Sequence, residues 1–309
     1  MSMGLFEIES QSIPQTLQEK FLAPPLSILD SRQGYWQKRK IYYNDLFKLK
    51  TNIGRDLHLQ GDIKSRAYFK NGFGEGAVNT SMFDPVLCEL VYKWFSNEND
   101  KILDVFAGGV VRGLVASILN RQYVGIDLSE TQLLVNAHQY NKLSKIYKGM
   151  VEPVWVNGDS LKCKELVNDK YNLLFTCPPY YNLEIYSDSP NDLSNMKSYE
   201  EFITTYSQII KNACDMLEEN SFAVIVVGDI RDKNGFYYDF ISDTKKAFIN
   251  ANCKLYNELI LIEQIGNAAI RAGRHFNISR KITKIHQNVL VFYKGDIKCI
   301  KEKFGNFNL

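Results

Sequence analysis

The segment Phe175-Thr176-Cys177-Pro178-Pro179-Tyr180-Tyr181 groups the residues best suited to chemistry. It follows an apolar stretch, Tyr171-Asn172-Leu173-Leu174-Phe175, that reads as a buried strand. Each proline fixes its own φ and pushes the residue before it into an extended conformation. Neither carries an N–H, so nearby carbonyls are left to face a ligand, and an aromatic plane is held beside them on a rigid rim. That arrangement suits a pocket for a flat molecule carrying an amino group. Pro-Pro-Tyr by itself is an ordinary turn; the residues upstream give it a different meaning.

Lys101-Ile102-Leu103-Asp104-Val105-Phe106-Ala107-Gly108-Gly109 reads as a buried strand entering a glycine turn, with a helix from about Val111 to Asn120. A second strand, Tyr123-Val124-Gly125-Ile126-Asp127, ends in an acid about twenty residues after the glycines. A third, Pro153-Val154-Trp155-Val156, runs into Asn157-Gly158-Asp159-Ser160. Glycines let backbone approach a ligand closely, and a carboxylate ending the second strand can accept from ribose hydroxyls. The turn is neither the Gly-x-Gly-x-x-Gly of a nicotinamide site nor a Gly-Lys-Ser/Thr phosphate loop. Three strands ending near Asp104, Asp127 and Asp159, and a fourth ending in Cys-Pro-Pro-Tyr, would line one crevice of an open α/β sheet.

In this order the motifs resemble the DNA amino-methyltransferases, closest to the phage-type modification methylases. These enzymes use S-adenosylmethionine to methylate the exocyclic amine of adenine or cytosine. Their Asp/Asn/Ser-Pro-Pro-aromatic motif is matched by Cys177-Pro178-Pro179-Tyr180, and their Asp-x-Phe-x-Gly motif by Asp104, Phe106 and Gly108. An upstream element with a Phe-x-Pro-x-x-Leu-like core resembles Thr80-Ser81-Met82-Phe83-Asp84-Pro85-Val86-Leu87. The likeness covers roughly residues 77–294. Cys177 stands where the family carries Asp, Asn or Ser, and Val110 where it often has a second glycine.

The resemblance implies a Rossmann-like class I methyltransferase, α/β, with a mostly parallel sheet and a terminal antiparallel hairpin. It implies S-adenosylmethionine as cofactor, with Asp127 on its ribose and Asp159 on its adenine amine. Asp104, Phe106, Ala107 and Gly108 would border its methionine end, and Thr80 and Phe83 are further contacts. The Pro178 carbonyl and the Cys177 position would hold the amine, Pro179 would stiffen the rim and Tyr180 would stack on a flipped base. Alternatives remain open: an RNA or protein-amide methyltransferase, or a catalytically decayed nucleic-acid-binding module. A carbon-methylating cytosine enzyme usually has its nucleophilic cysteine after a proline, whereas Cys177 precedes two.

The chain has 309 residues and a net charge of +2, but its charge is unevenly spread. Between Ser31 and Lys70 ten Lys and Arg stand against Asp45, Asp56 and Asp62. Between Ile265 and Gly295 lie Arg271, Arg274, Arg280, Lys281, Lys284 and Lys294, with no acid. Basic clusters in a balanced chain point to a polyanion, and DNA is the expected partner. Arg271, Arg274, Arg280, Lys281 and Lys284 are the candidate DNA contacts. The resemblance leaves room for a homodimer and for a restriction-endonuclease counterpart; the sequence names neither.

Six cysteines without a Cys-x-x-Cys pair fit a reducing cytoplasm, and no two histidines have metal-ligand spacing, so no metal is expected. No stretch is long enough to span a membrane. The pattern divides into a basic-aromatic extension, 1–76, and a methyltransferase domain, 77–309, with a target-recognition segment near 264–287. Within the extension, a helix over 35–49 mixes aromatics and cations that could stack on bases or pack a small subdomain onto the core. The glycine-rich 71–76 reads as a hinge, and Ser198 with Glu201 as a capping box.

Overall fold

The computed structural model describes residues 16–47, 82–181, 189–266 and 268–307. The proposed domain boundary near residue 76, the glycine-rich 71–76 and Thr80 lie outside these residues.

Runs of three to eleven residues, mostly apolar, build one eight-stranded sheet. Its strands are β1 (Ile28–Asp30), β2 (Lys101–Asp104), β3 (Gln122–Asp127), β4 (Val154–Asn157), β5 (Tyr171–Thr176), β6 (Leu217–Val227), β7 (Lys254–Ile262) and β8 (His286–Lys294). The spatial order is β1-β7-β8-β6-β5-β2-β3-β4. All neighbours pair parallel except β8, which runs antiparallel to both β6 and β7. This is the expected α/β Rossmann-like architecture. The terminal antiparallel pair is not a tight hairpin, because a helix and its flanking turns separate β7 from β8.

The helices are α1 (Leu17–Phe21), α2 (Gly34–Phe47), α3 (Pro85–Phe95), α4 (Val111–Ile118), α5 (Glu130–Ile146), α6 (Cys163–Leu166), α7 (Tyr199–Asp215), α8 (Phe240–Asn250), α9 (Ala268–Ser279) and α10 (Ile300–Phe304). Local chemistry sets their starts. Asp84 caps α3, accepting from the Val86 amide at 2.9 Å, and Pro85 follows at the first turn, where its missing N–H costs nothing. Ser198 caps α7 through the Glu201 amide. The Glu201 carboxylate turns instead to the amide of Lys197, so only half of the expected box closes.

Successive side chains of a strand point to opposite faces, and the core divides accordingly. Phe222, Val224 and Val226 of β6 face one cluster with α2, α3 and α4, while Ala223, Ile225 and Val227 face another with α7 and α8. Burial on both faces explains why β6 reads as a continuous apolar run. The amino-terminal segment joins the first cluster. Trp36, Tyr43 and Phe47 are buried there, and Trp36 donates its indole N–H to Asp84. Tyr42 faces solvent. The parallel strands end together at one edge of the sheet, where the loops after β2, β3, β4, β5, β6 and β7 gather.

Candidate active site

Asp104, the last residue of β2, is fully buried. Its carboxylate accepts from Arg112 Nε of α4, from the Tyr123 hydroxyl of β3 and the Thr176 hydroxyl of β5 (both 2.7 Å), and from the Phe106 amide at 3.2 Å. Arg112 also donates to the carbonyls of Phe106 (2.6 Å) and Ala107 (3.0 Å), and its guanidinium lies 4.6 Å from the Phe83 ring centroid. Asp104 and Arg112 therefore form a buried hub that shapes the loop after β2. The carboxylate is enclosed by protein, and each of its donors belongs to the chain itself.

At the tip of this loop Gly108 takes φ 51°, and it is Gly108 rather than Gly109 that makes the left-handed turn. A side chain at Gly108 would meet nothing nearer than the Phe106 carbonyl at 3.9 Å, and one at Gly109 nothing within 4 Å. The glycine backbone thus lies open on its outer side. It is braced from within: the Gly108 amide donates to Asp127 Oδ2 at 2.7 Å, and its carbonyl accepts from Asn136 Nδ2 at 2.8 Å. Asp127 Oδ1 accepts from the Ser129 amide at 2.9 Å, which starts α5. Asp159, two residues past β4, caps the turn that opens the next crossover, accepting from the Leu161 amide at 2.9 Å.

The Pro-Pro segment leaves β5 immediately beside this loop, since the Phe106 amide also donates to Thr176 Oγ1 at 3.2 Å. Pro178 is buried; Cys177, Pro179 and Tyr180 are half-buried. Burial pushes the Cys177 thiol up, opposed by the Arg112 guanidinium and by a hydrogen bond with the Tyr180 side chain. Tyr180 sits edge-on to Phe240, 6.4 Å between centroids. Tyr181 is buried with φ 45° and packs against Tyr199, Phe202 and Tyr238. Across the crevice, burial raises the carboxyl of Glu263 just past β7, with Lys40 opposing and Asp84 adding.

The structure thus brings Asp104, Phe106, Ala107, Gly108, Asp127, Phe83 and Cys177 through Tyr180 to one edge of the sheet, with Asp159 on the neighbouring crossover. The basic residues lie on the same edge, after β7. α9 buries none of its side chains in the core. At 3.6 residues per turn, Ile270, Arg271, Arg274 and Ile278 share one face. The two arginines are exposed, and Ile270 and Ile278 are 79% and 72% exposed. Arg280 ends the helix with φ 55° and its guanidinium 5.0 Å from the Phe276 ring. Lys281 is half-buried, and Lys284 lies 3.6 Å from Asp229 Oδ2, so part of its charge is used within the chain. Arg112, Tyr123, Thr176 and Asn136 are not legible in the sequence as site residues. Each acts by holding a motif residue, and no local pattern marks such partners.

Among the described residues no cluster of His, Cys, Asp or Glu could hold a metal ion, and no helix is long and apolar enough to cross a membrane. No protein-family model matches the chain, and a search of curated proteins finds no match. Several solved structures are similar at a distance. A methyltransferase from Pyrococcus furiosus is 13% identical with a TM-score of 0.47, the match covering 84% of this chain and 98% of that one. TrmN from Thermus thermophilus is 14% identical with a TM-score of 0.46, over 69% of this chain. The match covers 49% of TrmN, so the chain spans about half of that protein's length. The N-methyltransferase NodS from Bradyrhizobium japonicum, solved with S-adenosyl-L-homocysteine, is 12% identical with a TM-score of 0.41, over 67% of this chain and 84% of NodS. Likenesses this remote carry no argument about activity. The fold rests on the sheet order and register given above.

Proposed function

We propose that the chain transfers a methyl group from S-adenosylmethionine to the exocyclic amine of adenine or cytosine in DNA, after the target base has left the stack. The observation that carries this reading is the juxtaposition of Cys177-Pro178-Pro179-Tyr180 with the open glycine loop, joined through Thr176, Asp104 and the Phe106 amide.

The residues fit the cofactor. The outer face of Gly108 and Gly109 is unobstructed, and Asp127 ends β3 already oriented by two backbone amides. Asp127 is the ribose ligand in this reading, and Asp159, with Phe106 and Phe83, borders the remainder. Bound S-adenosylmethionine supplies a methyl group already activated on sulfur. The chain's task is to place the amine in line with it and to exclude water, and such positioning can contribute about 7–11 kcal/mol. A ring-conjugated amine is a weak nucleophile, and acceptors around its hydrogens offset charge developing on nitrogen. The Pro178 carbonyl is the main acceptor, while Cys177 shapes the pocket. A thiol held protonated by burial is a poor nucleophile, consistent with transfer to nitrogen without a covalent enzyme–base bond. Tyr180 provides the stacking face.

The direct test is incubation of the purified protein with isotopically labelled S-adenosylmethionine and with DNA, RNA or protein extract, followed by nucleoside and amino-acid mass spectrometry. Labelled N6-methyladenine or N4-methylcytosine from DNA is the expected product. Label confined to RNA or to a protein amide would replace this reading, and no transfer despite cofactor binding would favour a decayed binding module.

The face of α9 supports a polyanionic substrate, because Arg271 and Arg274 project outward from a segment without acids. The triple substitution Arg271→Ala, Arg274→Ala, Lys281→Ala is expected to weaken DNA binding. It should flatten log K against log salt by about 0.9 for each phosphate that is no longer neutralised. Cofactor affinity should stay as in the parent. An unaltered salt slope, read from fluorescence anisotropy, would remove α9 from the interface.

A further inference from the structure

We propose that Phe236 is the wedge that enters the base stack when the target base leaves it. The inference rests on the reading of the chain as a DNA methyltransferase and concerns a residue that no motif marks.

Phe236 lies in the segment between β6 and α8. Arg231 and Tyr237 form an antiparallel bridge at its base. The Asp232 amide donates to the Phe236 carbonyl at 2.8 Å, and the Gly235 amide to the Asp232 carbonyl at 3.1 Å. Asp232 Oδ1 accepts from the amides of Asn234 (2.9 Å) and Phe236 (2.8 Å). Gly235 supplies the positive φ, 95°, that the turn requires. The Arg231 guanidinium covers the Tyr237 ring at 3.7 Å and donates to the Gly235 carbonyl at 2.6 Å. The backbone of the tip is therefore fixed from both sides. Yet the Phe236 ring it presents is 74% exposed.

A single exposed hydrophobic residue is ordinary. Two further observations set this one apart. First, the hairpin is tied to the Pro-Pro motif. Tyr238, next to the tip, stacks on Tyr199 at 4.3 Å and 15°, and both rings stand edge-on to Tyr181, which follows Tyr180. Gly228, at the root of the segment, lies against the Tyr180 hydroxyl: a Cβ there would be 3.9 Å from it. Second, the acids of the segment are each engaged within the chain. Asp229 accepts from the Ile241 amide and lies near Lys284, Asp239 accepts from the Ser242 hydroxyl, and Asp232 is spent on the turn. The exposed residues are Lys233, Asn234, Phe236, Tyr237 and Asp239, and the Asp239 carboxylate is taken by the Ser242 hydroxyl. A rigid aromatic tip at a fixed offset from the base-binding tyrosine has the chemistry of an intercalating side chain, which fills the gap left by an extruded base and slows its return.

The test compares the parent protein with Phe236→Ala and Phe236→Trp on unmethylated genomic duplex DNA. It measures turnover at saturating DNA, the dissociation constant for duplex and the thermal midpoint. Removing one stacking ring predicts that Phe236→Ala lowers kcat about ten-fold or more. The dissociation constant should change less than about three-fold, the split expected for an interaction made mainly after initial binding. The thermal midpoint should hold, and Phe236→Trp should restore most of the turnover. An unchanged kcat, a loss that resides in the dissociation constant, or a Trp variant as poor as Ala each overturns the wedge. Absence of methyl transfer to DNA by the parent protein removes the functional reading itself, and this inference with it. Transfer by the parent with an indifferent Phe236→Ala removes the wedge alone.

Discussion

Replacing Asp104 with alanine is expected to cost about 3–5 kcal/mol of folding stability, because it leaves the Arg112 guanidinium buried without its counter-charge. The side chains of Tyr123 and Thr176 lose their acceptor in the same step. Urea denaturation should show a lower midpoint with little change in slope, since the surface exposed on unfolding is the same. Asp104→Asn should also be destabilising, because Arg112 still loses its counter-charge and the new NH2, a donor, replaces an oxygen that accepted two hydrogen bonds. Removing Asp104 and Arg112 together should cost less than the sum of the single losses, the signature of a coupled pair. A loss within about 0.5 kcal/mol for Asp104→Ala, the range typical of surface substitutions, would show that the loop after β2 is held by other interactions. The consequence for function is indirect: a variant that remains folded should bind S-adenosylmethionine less tightly, because its glycine loop keeps the Asp127 and Asn136 braces but loses the one through Asp104.

The second large effect concerns the Pro-Pro motif. Base–aromatic stacking contributes about 1–3 kcal/mol per base, so Tyr180→Ala should lower turnover by about one to two orders of magnitude. Cys177→Ser should keep its activity, since a hydroxyl of similar size accepts hydrogen bonds better than a thiol, and Cys177→Ala should keep part of it. The raised thiol has a further implication. A group held above its ordinary range stays protonated through neutral pH, so the rate–pH profile should show no inflection where an ordinary thiol ionises. Complete inactivity of Cys177→Ser, with cofactor binding intact, would argue for thiol chemistry and against transfer to an exocyclic amine.

The parts of the fold legible in the sequence are those where pattern is local. β2, β3 and β5 announce themselves as apolar runs closed by Asp, by Asp and by Pro-Pro, and their order places their ends on one edge. The function of Asp104 is not local. Its motif position suggests a ligand contact, but its burial depends on Arg112, Tyr123 and Thr176 arriving from a helix and two other strands. β1 is not legible either, because three residues, Ile28–Asp30, carry too short a pattern to register. They become a strand only by pairing with β7. The basic segment is visible as charge, yet charge does not say that α9 stands proud of the core with isoleucines on its outer face. The hairpin bearing Phe236 leaves no trace in the motifs, since its order comes from one aspartate, one arginine and one glycine in a polar loop.

The pairing of β1 with β7 also bears on how the chain is made. Ile28, Leu29 and Asp30 leave the ribosome long before their partners Ile260, Leu261 and Ile262. Contacts of such sequence separation form late and slow folding, and domains that assemble during translation begin from the amino-terminal side. The sheet therefore cannot gain β1 as its outermost strand, nor can the segment carrying Trp36 settle fully, until β7 has been made. A partly synthesised chain exposes the apolar faces of α2 and α3 for much of its elongation, a window in which chaperones would have most to hold.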